Sequence, residues 1–239
     1  MKLLSIDTSS DRCSVCLLED TTVLKELNIE DKKTHSEKLM PLIEQVLQET
    51  NSTLDQIGLL ACSKGPGSFT GIRIGIATVK AFCDAKQIPA IGISSLEGLA
   101  YHVSSYGKII AIIDARNDTV YAGIFTHSKQ GYQQEGPLTA ISVTELLNKL
   151  QKEQEHFFLV GDGSILYHDL IVSMLREKAI FIAPDQNKCS SATIGKAAFA
   201  KLQKGITSED VSLSPLYLRP SQAERTLQEK EKMGEKDGN

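Results

Sequence analysis

The sequence predicts a two-lobed α/β protein made from one unit used twice. Two observations carry this. Ile6-Asp7-Thr8-Ser9-Ser10-Asp11 recurs as Ile113-Asp114-Ala115-Arg116-Asn117-Asp118, with both aspartates in matching places. Further on, an apolar run enters Gly65-Pro66-Gly67-Ser68, and a second one enters Gly161-Asp162-Gly163-Ser164. Two matches in the same order imply two similar lobes and not a solenoid of short repeats. With 41% hydrophobic and 23% charged residues, the 239-residue chain can build one or two ordinary cores.

The elements follow in order. Lys2 to Ile6 is apolar and extended, and Asp7 to Asp11 is rich in turn formers. Cys13 to Leu18 and Val23 to Ile29 complete a β-meander. Thr34-His35-Ser36-Glu37 reads as a capping box with Thr34 at the N-cap. Leu39, Leu42, Ile43, Val46 and Leu47 then recur at helical spacing, and Pro41 inside this pattern predicts a kink. A strand over Ile57 to Cys62, a helix over Ile72 to Ala85, a strand over Ile88 to Ile93 and a helix over Ser95 to Tyr101 close the first half. In the second half Ile109 to Ile113, Val120 to Phe125 and Phe157 to Val160 read as strands, and Ser191 to Gln203 as the last helix. Leu213 to Pro220 is extended. Residues 221–239 are polar, charged and free of aromatics, the composition of a flexible tail or of a helix that orders on a partner. The predicted lobes are therefore 1–104 and 105–220, with the last helix able to pack back on the first lobe, and 221–239 is a tail.

Composition narrows the function classes. No apolar run approaches the roughly 20 residues that cross a bilayer. Asp7 cuts the first apolar run, so a signal peptide is not expected and a cytoplasmic location is. Five cysteines, an odd number, argue against a disulfide framework. Net charge is -4, without the basic excess of an autonomous nucleic-acid binder. No two of the five histidines are spaced for a helical zinc site. Cys13-Ser14-Val15-Cys16 is formally CxxC, but it lies in a strand, where residues three apart point to opposite faces.

Paired lobes with an Asp in the first turn are the pattern of the actin/Hsp70-like (ASKHA) fold, two lobes each with a mixed sheet flanked by helices. In that fold the first-turn Asp commonly helps hold a metal-bound phosphate. Asp7, Thr8 and Ser9 have the chemistry for this, since a carboxylate suits Mg²⁺. The plainer reading is that Asp7 and Asp114 close tight turns. Gly65 and Gly67 precede a helix and could expose backbone N–H groups to an anion. The same glycines also serve a tight strand-to-helix turn. The helix that follows is apolar on two faces. Ile72, Ile76, Val79 and Cys83 share one, and Ile74, Ala77, Ala81 and Ala85 share the other. Such a helix is either buried on both sides or meets another chain.

The blocks Ile6-Asp7-Thr8-Ser9, Thr34-His35-Ser36-Glu37, Gly65-Pro66-Gly67-Ser68-Phe69-Thr70-Gly71-Ile72-Arg73, Asp114-Ala115-Arg116 with Val120-Tyr121, and Pro215-Leu216-Tyr217-Leu218-Arg219 resemble the bacterial TsaB (YeaZ) family over nearly the whole chain, tail excluded. Where that family often has a basic residue or Met and then Gly/Asn-Glu after Asp-Ala-Arg, this chain has Asn117-Asp118-Thr119. The resemblance implies a non-catalytic scaffold that binds and activates a TsaD-like threonylcarbamoyltransferase. That enzyme modifies adenosine beside the tRNA anticodon. A TsaE-like ATPase docks on the pair, and tRNA is met only through the complex. The resemblance also places pairing on the two helices 36–47 and 72–85. The expected partner-binding residues are then His35, Leu39, Leu42, Ile43, Val46, Ile72, Ile76, Val79 and Cys83. No cofactor is required on this reading, and weak ATP/ADP with Mg in the interlobe cleft stays open, with Asp7, Thr8, Ser9, Gly65 and Gly67 as its residues. Homodimers are expected without the partner, because an unpaired apolar patch seeks cover. The alternative from another class is a stand-alone nucleotide hydrolase or phosphotransferase.

Overall fold

The computed structural model describes residues 1–30, 35–206 and 213–219; the Thr34 N-cap, Pro220 and the tail 221–239 lie outside them. Short apolar runs separated by turn formers make Lys2–Asp7 (β1), Arg12–Glu19 (β2) and Thr22–Glu30 (β3) an antiparallel meander. Helix α1 (His35–Glu49) runs through Pro41, and β4 (Ile57–Ser63), α2 (Phe69–Lys86), β5 (Ala90–Ile93) and α3 (Ser95–Ala100) follow. Strands β4 and β5 add beside β1 in parallel, which requires crossovers such as α2. The first sheet has the order β3-β2-β1-β4-β5.

The second half repeats the plan. Gly107–Asp114 (β6), Thr119–Ser128 (β7) and Gly131–Ser142 (β8) form the meander. Helix α4 (Val143–Gln151) leads to β9 (Phe157–Val160). Helices α5 (Asp162–Leu166) and α6 (His168–Leu175) lead to β10 (Ala179–Phe181), and α7 (Ser191–Gln203) ends the fold. The sheet order β8-β7-β6-β9-β10 matches the first sheet strand for strand. This is the duplicated actin/Hsp70-like architecture. Strand β8 has no clear sequence signal. It carries Gly136 at φ 73° and Pro137, and it survives because it is an edge strand that pairs only with β7.

Three apolar clusters sort the layers. One lies between the first sheet and α1 and α2, another between the second sheet and α4 and α6. The third is shared by the lobes: Leu3, Leu18 and Ile91 pack in one cluster with Ile109, Ala111 and Phe125. The helices of this middle layer are exchanged. Helix α7, from the second half, packs on β1, β2 and β4, while α3, from the first half, packs on β6 and β7. A polar tie fixes the exchange, as Ser5 Oγ donates to the Ser191 carbonyl at 2.6 Å deep in the interior.

All five cysteines are buried thiols. Cys13 and Cys16 sit on opposite faces of β2, Cys13 in the outer core and Cys16 in the shared one. Burial, then the charge of Asp7, pushes the Cys13 thiol up to about 11; burial also raises Cys16 and Cys189. Ellman's reagent is expected to leave all five thiols untouched in native buffer near neutral pH and to titrate all five in denaturant. Because Cys13 is raised from an ordinary value of 9.0, its contribution to stability is complete below that pH and is lost as pH climbs toward about 11. The urea midpoint should fall across that window.

Candidate interlobe cleft and exposed helix face

The paired aspartates end up in different environments. Asp7, at the end of β1, is 0% exposed. Its Oδ1 accepts a bond from the Ser9 N–H at 3.0 Å and another from the Ser63 hydroxyl. Its Oδ2 has no hydrogen-bond partner among the described residues. The Asp7 charge, after burial, raises the nearby Cys189 thiol and keeps it protonated. Asp114, at the end of β6, is only half-buried and borders the cleft between the lobes. It accepts the Arg116 N–H at 3.0 Å, and its own N–H donates to Asp162 Oδ1 at 3.0 Å.

The glycine loop before α2 is explained by packing. The Ser68 hydroxyl caps the helix by accepting the Gly71 N–H at 3.2 Å, and the Ser68 N–H donates to the Ser9 carbonyl at 2.7 Å. A Cβ at Gly67 would lie 2.2 Å from that carbonyl oxygen, and one at Gly71 would lie 2.0 Å from the Thr8 carbonyl oxygen. The turn between β1 and β2 is thus pressed, backbone on backbone, against the first turn of α2. Thr8 seals the contact by donating to the Gly71 carbonyl at 2.7 Å.

The expected nucleotide set is divided by the structure. Of Asp7, Thr8, Ser9, Gly65 and Gly67, only Ser9 and Gly67 border the cleft. The Asp7 carboxylate, the group expected to suit Mg²⁺, is buried and engaged by Ser9 and Ser63. The cleft itself measures about 730 Å³. Ser9, Asp11 and His35 border it from the first lobe, Asp114, Arg116 and Asp162 from the second. Arg116, Asn117 and Asp118 form three successive non-glycine residues with φ of 64°, 53° and 52°, so the second-lobe turn is held in a sparsely populated conformation. Among the described residues, no three His, Cys, Asp or Glu side chains are grouped to hold a metal.

The structure places most of the expected partner-binding residues in the interior. Leu39, Leu42, Ile43, Val46, Ile72, Ile76, Val79 and Cys83 are at most 6% exposed and form the chain's own outer core. A side chain buried against its own sheet cannot be offered to another chain. His35 is half-buried at the cleft, with Nε2 2.7 Å from the Ser10 carbonyl oxygen. The outward face of α2 is the other apolar one. Ala77, Ala81 and Ala85 are exposed, and Ile74 and Phe82 are half-buried. On the neighbouring α1, Met40 is 51% exposed beside exposed Pro41. Ile72, Ile76 and Val79 fill the core, and the alanines are left outside.

Comparison with known proteins places this geometry. The family model described as "TsaD: tRNA N6-adenosine threonylcarbamoyltransferase" matches residues 22–227. The chain is 30% identical to the tRNA threonylcarbamoyladenosine biosynthesis protein TsaB of Bacillus subtilis (strain 168), over 97% of this chain and all of that protein. It is also 30% identical to the TsaB of Escherichia coli (strain K12), over 71% of this chain and 75% of that one. The solved structure of YeaZ from Pseudomonas aeruginosa superposes with a TM-score of 0.76 at 26% identity, covering 91% of this chain and 99% of that one.

Two substitutions test whether the motif is a packing device. Gly71→Ala drives a Cβ against the Thr8 carbonyl and is expected to cost about 1–3 kcal/mol, the range for overpacking. Asp7→Ala leaves the Ser9 N–H and the Ser63 hydroxyl buried without an acceptor, which costs about 1–3 kcal/mol as well. Urea unfolding should show both as a lower midpoint with an unchanged slope.

Proposed function

Because the chain belongs to the TsaB (YeaZ) family of tRNA threonylcarbamoyladenosine biosynthesis proteins, we propose that it is the non-catalytic subunit that binds and activates a TsaD-like threonylcarbamoyltransferase. The observation that carries this reading is the outward face of α2. Ala77, Ala81 and Ala85 leave a row of small apolar side chains in water, with Ile74 and Phe82 at its flanks. Small residues let a second helix approach closely, and a face of this kind gains by being covered. A TsaD-like protein, built as a paralogue on the same plan, offers the matching helices. The exposed Met40 and Pro41 of α1 extend the face. A TsaE-like ATPase then docks on the pair, tRNA is met through the complex, and the same face pairs two copies of this chain when the partner is absent. The overall charge of -4 agrees with leaving most RNA contact to other subunits.

A nucleotide entering the cleft would meet Ser9, Gly67, Asp114 and Arg116 and would not reach Asp7. The stand-alone hydrolase thus loses the carboxylate it was built on.

Size-exclusion chromatography with light scattering, on this chain mixed with its cognate TsaD-like protein, tests the proposal. Ala77→Glu and Ala81→Glu place a charge on the outer face and are expected to weaken the heterodimer by about tenfold or more, with the thermal midpoint unchanged. Ile76→Glu places a charge in the core instead and should unfold the chain outright. If the wild-type chain forms no complex under any nucleotide condition, the scaffold reading fails.

A further inference from the structure

The described residues nearest the C-terminus border the cleft and reach both lobes. Leu213 is 0% exposed and anchored in the outer core of the first lobe. The Leu216 N–H then donates to the Lys64 carbonyl at 2.6 Å, and the Leu216 carbonyl lies where a Cβ on Gly65 would be, 2.9 Å away. The Tyr217 ring stacks on Phe69 at 4.2 Å. Arg73 completes the stack: its guanidinium sits 4.1 Å above the Phe69 ring centroid, and its Nε donates to the Tyr217 hydroxyl at 2.8 Å. Leu218 packs on the core shared by the lobes. Arg219 reaches the second lobe and donates from Nη1 to the Ala115 carbonyl at 3.1 Å, next to the turn of three positive-φ residues.

This segment joins three places at once: the glycine loop, the first turn of α2 and the second-lobe turn. Its grip on α2 lies in the open. Arg73 is exposed and precedes Ala77 by one helical turn, so it belongs to the outward face already proposed for docking. A cation–π contact strengthens when water is excluded from it. We propose that residues 213–219 are a strap belonging to the docking surface, and that a TsaD-like partner seated on α2 covers the Arg73–Phe69–Tyr217 stack and pins the strap across the interlobe cleft. The strap then reports partner docking to the cleft, closing it in the assembled state. This rests on the docking reading above.

Hydrogen exchange with mass spectrometry on the full chain, alone and in the heterodimer, tests it. Docking is expected to slow exchange over 213–219 by about tenfold or more, together with the outward face of α2. With Tyr217→Ala the α2 face should still become protected, while the strap stays fast. Tyr217 is 40% exposed, so this variant keeps the core intact. If α2 becomes protected and the strap does not slow, the strap proposal is overturned and the docking reading stands. The strap proposal is equally overturned if the Tyr217→Ala strap slows as much as the wild-type one. If neither region changes and no heterodimer forms, the docking reading falls and takes this one with it.

Discussion

The contact between the β1–β2 turn and the first turn of α2 governs the rest of the molecule. Two carbonyl groups, from Thr8 and Ser9, lie where any side chain at Gly71 or Gly67 would have to be. Backbone can approach backbone this closely only where Cβ is missing. The contact ties the start of α2 to the β1–β2 turn. At the end of β1, just before that turn, Asp7 is buried and serves as a structural acceptor for Ser9 and Ser63.

Duplication supplies the frame around that contact, and the two copies have diverged in what they do with it. The sheets match strand for strand, yet Asp7 is sealed and Asp114 borders the cleft. Exchange of α3 and α7 between the lobes ties the frame together. Each lobe completes its core with a helix from the other half, so the lobes cannot separate without exposing the cluster that contains Leu3, Ile91, Ile109 and Phe125. At the α7 end the exchange is reinforced by charge: Glu26 of β3 accepts the Ala192 N–H at 2.9 Å, a carboxylate at the positive end of the helix.

Function on this reading resides on the outside. The outward face of α2, the glycine loop at its start and the extended segment 213–219 form one continuous region through Arg73, Phe69 and Tyr217. A subunit whose task is to seat and activate a partner needs a rigid frame with one apolar face left open, and it has no need of a reactive group. The buried cysteines are consistent with such a frame, since they fill volume in two separate cores.

The sequence by itself determined the duplicated fold, because strand, Asp turn and glycine loop are local signals that recur in order. It also determined that α2 has two apolar faces, since periodicity along one helix is a property of the chain. It did not determine which face turns inward. The Ile72 face and the Ile74 face both satisfy the helical period, and the choice is made by the sheet beneath, where the branched side chains fill more volume than the alanines. Nor could it show that Asp7 is closed off, because Ser63 and Cys189 are brought to Asp7 from distant parts of the chain. Strand β8 lay beyond it as well, since an exposed edge strand is held by pairing with β7 and not by its own pattern. The strap shows the same limit: Tyr217 and Arg73 are far apart in the chain, and only the tertiary structure stacks one against the other.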